Sequence, residues 1–470
     1  MRKNTPRPFG LRDKLGYLFG DFGNDFTFIL STSILMKFYT DVMGLSSGLV
    51  GLVMMLARFL DAVTDVTMGR IADRSRPTAA GKFKPWILRM CIPVAAASFL
   101  MYQHGLANAS YGFRVFYFVV TYLLWGSICY TGINIPYGSM ASSISAEPDD
   151  RQSLSTYRTM GGTLAGLVIG VGLPMFAYNK VTLADGSVKE TLSGSRVTAI
   201  AGLFSVLAIG CYLLCYFLVK ERVRYTADTR KKTSVGQMLR GALGSRALIS
   251  IIAASIVMLL AQLTMQNMGA YIYPDYYNNA AAQGLSSVLM VVGMLLAGVA
   301  AKPLSGRFGK AEVAAVSSLF AAAVSLLTFL IRPASVWAFC GLQTLCWIGL
   351  GIFSMVSWAL ITDVIDDSQL RTGVREDGSV YALYSFARKL GQAAASGVTG
   401  LLLQLIGYNN NAITEGVAQT QTVKDGIFDI ATLVPAVGFA ALALVLWFWY
   451  PLHKKKVDAN VAALKEINEQ

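Results

Sequence analysis

Charge is scarce in this chain: only 14% of its 470 residues are Asp, Glu, Lys or Arg, where a soluble domain carries about 25%. That shortage excludes an ordinary water-soluble globular domain. Histidine is rarer still, with two residues. His104 falls near an expected helix end and His453 in a basic tail, so neither suggests a metal site. The six cysteines, Cys91, Cys129, Cys211, Cys215, Cys340 and Cys346, all sit inside apolar segments. They read as small buried hydrophobes, with no disulfide framework and no metal-ligand pairing. Gly81-Lys82 lacks the upstream glycine spacing of a P-loop, which argues against an ATP-driven pump. No His pair, Cys–His pair or Gly-x-Ser-x-Gly stands in a setting that would support an intramembrane enzyme. No cofactor is implied.

What is present is apolar length. Hydrophobic residues make up 54% of the chain, in runs of about 20 or more, long enough to cross a bilayer as helices. Continuous runs exclude a β-barrel, whose strands alternate over about ten residues. The net charge of +13 would suit nucleic acid if it were clustered on one face, but it is distributed along the chain in a membrane pattern. Lys and Arg gather at residues 2–14, 70–84, 220–246, 302–310, 371–375 and 454–456, whereas Tyr39 to Leu45, Tyr276 to Gly284 and Tyr408 to Thr422 contain none. This alternation predicts both termini in the cytoplasm of a multi-pass inner-membrane protein. Lipid is the surrounding partner; neither nucleic acid nor an obligate protein partner is expected. The polar N-terminus leads into a full-length first span, so no cleaved leader is expected.

The fold class expected is all-α, with about twelve transmembrane helices. The first six fall near 14–40, 46–70, 86–106, 112–145, 156–180 and 196–219. The second six fall near 247–275, 284–305, 311–332, 335–365, 378–408 and 425–450. The domains expected are therefore a six-helix bundle over 1–219, a cytoplasmic link over 220–246, a second bundle over 247–450 and a tail over 451–470. That tail is either a short helix or a disordered end. A faint repeat supports two related halves. Gly69-Arg-Ile-Ala-Asp73-Arg-Ser-Arg76 with Gly81-Lys82 follows the second helix, and Lys302-Pro-Leu-Ser-Gly306-Arg307-Phe-Gly309-Lys310 follows the eighth. Two such halves suit a major-facilitator-type transporter.

Within the apolar runs a few charges persist, and each is informative because a charge at membrane depth costs about 2.5–3.5 kcal/mol on insertion scales. Arg58, Asp61 and Asp65, at spacings of three, four and seven, share one face of the second helix. One Arg cannot neutralise two carboxylates, so a further cation, proton or base is implied. Asp21 and Asp25 lie one turn apart on the first helix. Asp21 reads equally as a solvated group at the cytoplasmic end. Tyr130, Thr131 and Asn134 form a polar turn before Pro136 on the fourth helix, Arg158 begins the fifth, and Arg388-Lys389 lies deep in the eleventh. Arg388 reads as a snorkelling or interhelical residue.

The segments Lys14-Leu-Gly-Tyr-Leu-Phe-Gly-Asp-Phe-Gly-Asn-Asp25, Phe38-Tyr-Thr-Asp-Val-Met-Gly44, Ala57-Arg-Phe-Leu-Asp61-Ala-Val-Thr-Asp65 and Gly81-Lys-Phe-Lys-Pro-Trp86 occur in that order. Asn134-Ile-Pro-Tyr137, Arg375-Glu-Asp-Gly378 and Tyr384-Ser-Phe-Ala-Arg-Lys389 follow. Together they resemble the glycoside–pentoside–hexuronide:cation symporter family, over nearly the whole chain. The glucuronide-carrier branch is the most similar, through Asn134-Ile-Pro-Tyr-Gly-Ser139 and Arg388-Lys389-Leu-Gly-Gln392. The resemblance implies an inward symporter for a small sugar, glycoside or sugar acid together with a cation, working by alternating access. It implies Asp25 as the main sugar-hydroxyl acceptor and Arg158 as the basic residue that meets the sugar. Asp61 and Asp65 would be the cation carboxylates, beside Arg58, with Lys389 facing them. Tyr130 and Thr131 would line the sugar and cation sites, and Asp21, Asn134 and Gly138 would border the substrate. A lipid, amphiphile or drug transporter on the same fold is the alternative.

Three departures qualify this. Asn134 and Gly138 stand where the melibiose carriers have an acid and a tryptophan, and Asp363-Val-Ile-Asp366-Asp-Ser-Gln369 lacks the usual Tyr-Gly-Glu ending. The glycine weighs against a galactoside. The lost acid weighs against sodium, and two carboxylates one turn apart favour taking up a proton. The expected coupling ion is therefore the proton, with sodium possible at Asp61 and Asp65.

Overall fold

Twelve long helical runs account for most of the described residues. The computed structural model describes residues 7–182, 186–223, 245–372 and 377–469. The runs are α1 (Leu11–Lys37), α2 (Ser47–Arg74), α3 (Lys84–Leu100), α4 (Tyr111–Ile144), α5 (Pro148–Phe176) and α6 (Gly194–Leu218). The second set is α7 (Arg246–Tyr271), α8 (Ala281–Phe308), α9 (Lys310–Ile331), α10 (Val336–Thr372), α11 (Asp377–Leu405) and α12 (Gln421–Leu444). A further helix, α13 (Lys454–Glu469), follows. Among the described helices, eight are long and apolar enough to cross a membrane by length and composition.

Local sequence explains the starts of these runs. Side-chain oxygens of Ser46, Ser110, Ser245 and Thr420 accept from backbone N–H groups three residues on, capping α2, α4, α7 and α12. Pro85 and Pro148 occupy first-turn positions of α3 and α5, where the missing N–H has no helical partner to lose. Gly309, at φ 102°, ends α8 in a conformation that side-chain-bearing residues avoid.

Contacts divide the chain into two units, one formed by Met1–Arg230 with Gly407–Gln419, the other by Lys231–Ile406 with Thr420–Gln470. In the first unit α1 packs on α5 and α6, α3 on α6 and α4, and α2 on α4. In the second, α7 packs on α11 and α12, α9 on α12 and α10, and α8 on α10. Each pairing recurs six helices later, so the two units share one packing plan, as the loop repeat suggests.

Several features depart from the helix spans expected. An antiparallel hairpin, β1 (Tyr178–Thr182) and β2 (Val188–Leu192), joins α5 to α6. α5 starts at Pro148 rather than near 156, and α3 stops at Leu100 before a 3-10 turn at His104–Leu106. The tail is helical. The segment Gly407–Gln419 follows α11 in sequence yet clusters with the first unit. There the Tyr408 hydroxyl donates to Asp41 Oδ1 at 2.9 Å, beside a Lys37–Asp41 pair at 2.8 Å. Of the expected central link, only Lys220–Val223 and Ser245–Arg246 lie within the described residues; residues 373–376 lie outside them too.

The start of that link is tied to the first bundle. Glu221 accepts from the backbone N–H groups of Lys82, Phe83 and Lys84 at 2.7–2.8 Å, which caps the N-terminus of α3. Asp13, fully buried, pairs with Arg7 and Arg222, each at 2.8 Å.

Candidate functional site

The charged residues of the first unit form two clusters. The first joins α1 and α5. Arg158 Nε lies 2.9 Å from Asp21 Oδ1, and the guanidinium sits 5.3 Å from the centre of the Tyr137 ring. Tyr137 in turn stacks on Tyr17 at 4.6 Å, and its hydroxyl donates to the Tyr17 carbonyl at 2.6 Å. α4 reaches α1 this closely because residue 20 is glycine; a Cβ there would run into the Tyr137 ring. Asp21 is thus buried and paired, which excludes the solvated position the sequence left open.

Asp25, one turn along α1, is half-buried and accepts no hydrogen bond among the described residues. A charged carboxylate away from water is stable only with donors around it, so this oxygen pair is the open acceptor of the cluster. Gly138 borders the other side of Arg158. A Cβ at 138 would stand 3.8 Å from Arg158 Nη1, so the glycine leaves its own position beside that nitrogen bare.

The second cluster joins α2 and α4. Asp61 Oδ2 lies 3.3 Å from Arg58 Nη1, and Asp61 Oδ1 accepts from the Ser127 hydroxyl at 2.6 Å. Asp65 Oδ1 lies 2.8 Å from the Thr131 hydroxyl. Ser127 belongs to a π-helical turn, Leu124–Tyr130, inserted in α4. Such turns are rare and often mark functional positions. Here two hydroxyls four residues apart meet two acids four residues apart. Ser127 was missed by sequence reasoning, although its spacing from Thr131 repeats that of Asp61 and Asp65.

Two further sets of contacts tie α1 to the helices of the second cluster. Phe28 of α1 carries the Arg58 guanidinium at 5.1 Å from its ring centre and stacks on Tyr130 at 5.4 Å. Tyr130 also packs on Trp125 at 5.4 Å. Asn134 Oδ1 accepts from Asn24 Nδ2 at 3.5 Å, and Asn24 Oδ1 accepts from the Tyr212 hydroxyl at 2.9 Å. The long Asn–Asn contact is weak, but it places Asn134 beside α1. Neither Asn24 nor Tyr212 was evident in the sequence, since a buried amide and a tyrosine in apolar runs read as packing.

In the second unit, Lys389 is half-buried on α11. Its neighbour Arg388 lies 5.7 Å from the centre of the Trp358 ring on α10 and 5.9 Å from that of Tyr384. Of the two readings for Arg388, the interhelical one fits.

Comparison with known proteins gives this arrangement its setting. The sequence profile of the MFS/sugar transport protein family matches residues 16–454. A glucuronide carrier protein homologue of Escherichia coli K12 is 31% identical over 470 residues, covering 98% of this chain and 97% of that protein. A proposed sulfoquinovose importer of Salmonella typhimurium LT2 is 28% identical, covering 98% and 94%. Among solved structures, an inward-facing bacterial homologue of the human lysosomal transporter Spinster superposes with a TM-score of 0.67 at 13% identity, covering 96% of each chain. At that identity the likeness concerns the fold alone. These are transporters, not enzymes. The chain belongs to the MFS/sugar transport protein family, within its glycoside–pentoside–hexuronide:cation symporter group, and is an all-α multi-pass membrane protein of the major-facilitator fold.

Proposed function

We propose that this protein is an inner-membrane symporter that carries a sugar acid or acidic glycoside into the cell together with a proton. The observation that carries the reading is the Asp21–Arg158 pair with Asp25 beside it. It offers one carboxylate for sugar hydroxyls and one guanidinium for an anionic group. Charge-assisted bonds of both kinds are stronger than neutral ones, and a guanidinium suits a carboxylate or sulfonate through paired N–H groups. The relatives agree in chemistry, since glucuronides and sulfoquinovose are both anionic sugars.

Asp61 and Asp65 are the coupling carboxylates in this reading, held by Arg58, Ser127 and Thr131. The neutral Asn134, engaged with Asn24, favours the proton over sodium. The alternation of basic and charge-poor links supports a cytoplasmic position for both termini in this reading.

Counterflow in proteoliposomes tests the substrate class. Vesicles loaded with a glucuronide should take up labelled glucuronide or sulfonated sugar, and neutral galactosides should compete poorly. Competition by lysophospholipids alone, with no response to any sugar acid, would favour an amphiphile transporter instead.

A further inference from the structure

We infer that Gly162 is a positioning residue for substrate recognition: the bare face it gives α5 is the seat of the Asp25 carboxylate. This rests on the proposed role of Asp25. Gly162 lies one helical turn beyond Arg158, so the two face α1 together. An ideal Cβ on Gly162 would stand 2.6 Å from Asp25 Oδ2 and 3.2 Å from Asp21 Oδ2. Real Cβ atoms do not approach an oxygen to 2.6 Å, so any other residue at 162 must displace the Asp25 carboxylate. The displaced atom is the end of a flexible side chain, and the helices need not separate. The adjacent Gly161 is different, because a Cβ there would run into the backbone carbonyl of Leu18. One glycine of the pair lets α5 approach α1. The other leaves room for a carboxylate on the helix surface, at a fixed offset from the guanidinium four residues earlier.

The spacing between hydroxyl acceptor and cation therefore depends on the absence of a side chain at 162. A methyl group there should move the acceptor while leaving its charge and the fold in place, and Asp21, whose Oδ2 would stand 3.2 Å away, need give by only a few tenths of an ångström.

A double-mutant cycle read by binding of p-nitrophenyl β-glucuronide to purified protein tests this, with thermal melting of each variant as the control for folding. Asp25→Asn and Gly162→Ala should each weaken binding by at least about tenfold, the loss of one charge-assisted hydrogen bond. Combining them should cost less than about twofold beyond Asp25→Asn alone, because both act through one carboxylate. Wild-type affinity in Gly162→Ala, or full additivity with Asp25→Asn, would overturn the inference while leaving Asp25 as a ligand. Wild-type affinity in Asp25→Asn itself would remove the proposed site and the inference with it. Should Gly162→Ala fail to fold, Asp25→Glu supplies the same test, since a carboxylate one methylene longer leaves its seat. Undiminished affinity in Asp25→Glu would contradict a fixed seat.

Discussion

Ser127 Oγ lies 2.6 Å from Asp61 Oδ1, and Ser127 is buried within the π turn of α4. The acid that Arg58 meets on one oxygen is thus held by a hydroxyl on the other. Ser127→Ala should leave folding intact and change cation affinity about tenfold, the worth of one hydrogen bond to a charged group. Uptake measured against cation concentration at fixed substrate reads this. An unchanged cation dependence would make Ser127 a packing residue.

Asp65→Asn should abolish uphill accumulation and spare substrate exchange, which needs no net cation movement. Asp61→Asn should do the same. Efflux and exchange assays on one preparation separate the two activities. Parent-like accumulation in both variants would contradict the coupling role.

Arg158→Lys keeps the positive charge but loses the planar fork that meets Asp21 and leaves Nη1 beside Gly138. Affinity for an acidic sugar should fall by about tenfold or more, the worth of a hydrogen bond to a charged group. Affinity for a neutral glycoside should change less. Equal losses for both would place Arg158 in structure rather than recognition.

Asp13→Ala should destabilise the first bundle. The carboxylate is fully buried between Arg7 and Arg222, and breaking a buried pair on one side costs about 3–5 kcal/mol. A lower melting temperature in detergent, with substrate affinity retained in the folded fraction, is the expected result.

Much of this was legible in the sequence for a simple physical reason. Lipid tolerates few charges, so each one inside an apolar run is a signal; Arg58, Asp61 and Asp65 announced their helix face by spacing alone, and the structure keeps Arg58 on Asp61. Partners on other helices were harder. Nothing local in Asp21 says that Arg158, 137 residues away in the chain, will pair with it in preference to Asp25. Ser127 and Asn24 are common residue types in apolar runs, and only their neighbours across the bundle distinguish them. The hairpin left only a weak signal: Asp185-Gly186 is a turn sequence, but Tyr178–Thr182 and Val188–Leu192 do not alternate apolar with polar residues. The expected fifth helix, taken as far as residue 180, ran over the first strand.

The central claim is that this site couples uphill sugar-acid transport to an ion, and one flux measurement tests it most directly. Proteoliposomes in sodium-free buffer, clamped at zero membrane potential, are given an acid-outside pH gradient and labelled p-nitrophenyl β-glucuronide. The parent protein should concentrate the sugar above its external level, and Asp65→Asn should only equilibrate it. Accumulation that requires a sodium gradient and ignores pH would overturn the proton assignment. Simple equilibration by the parent under every imposed ion gradient would contradict symport itself.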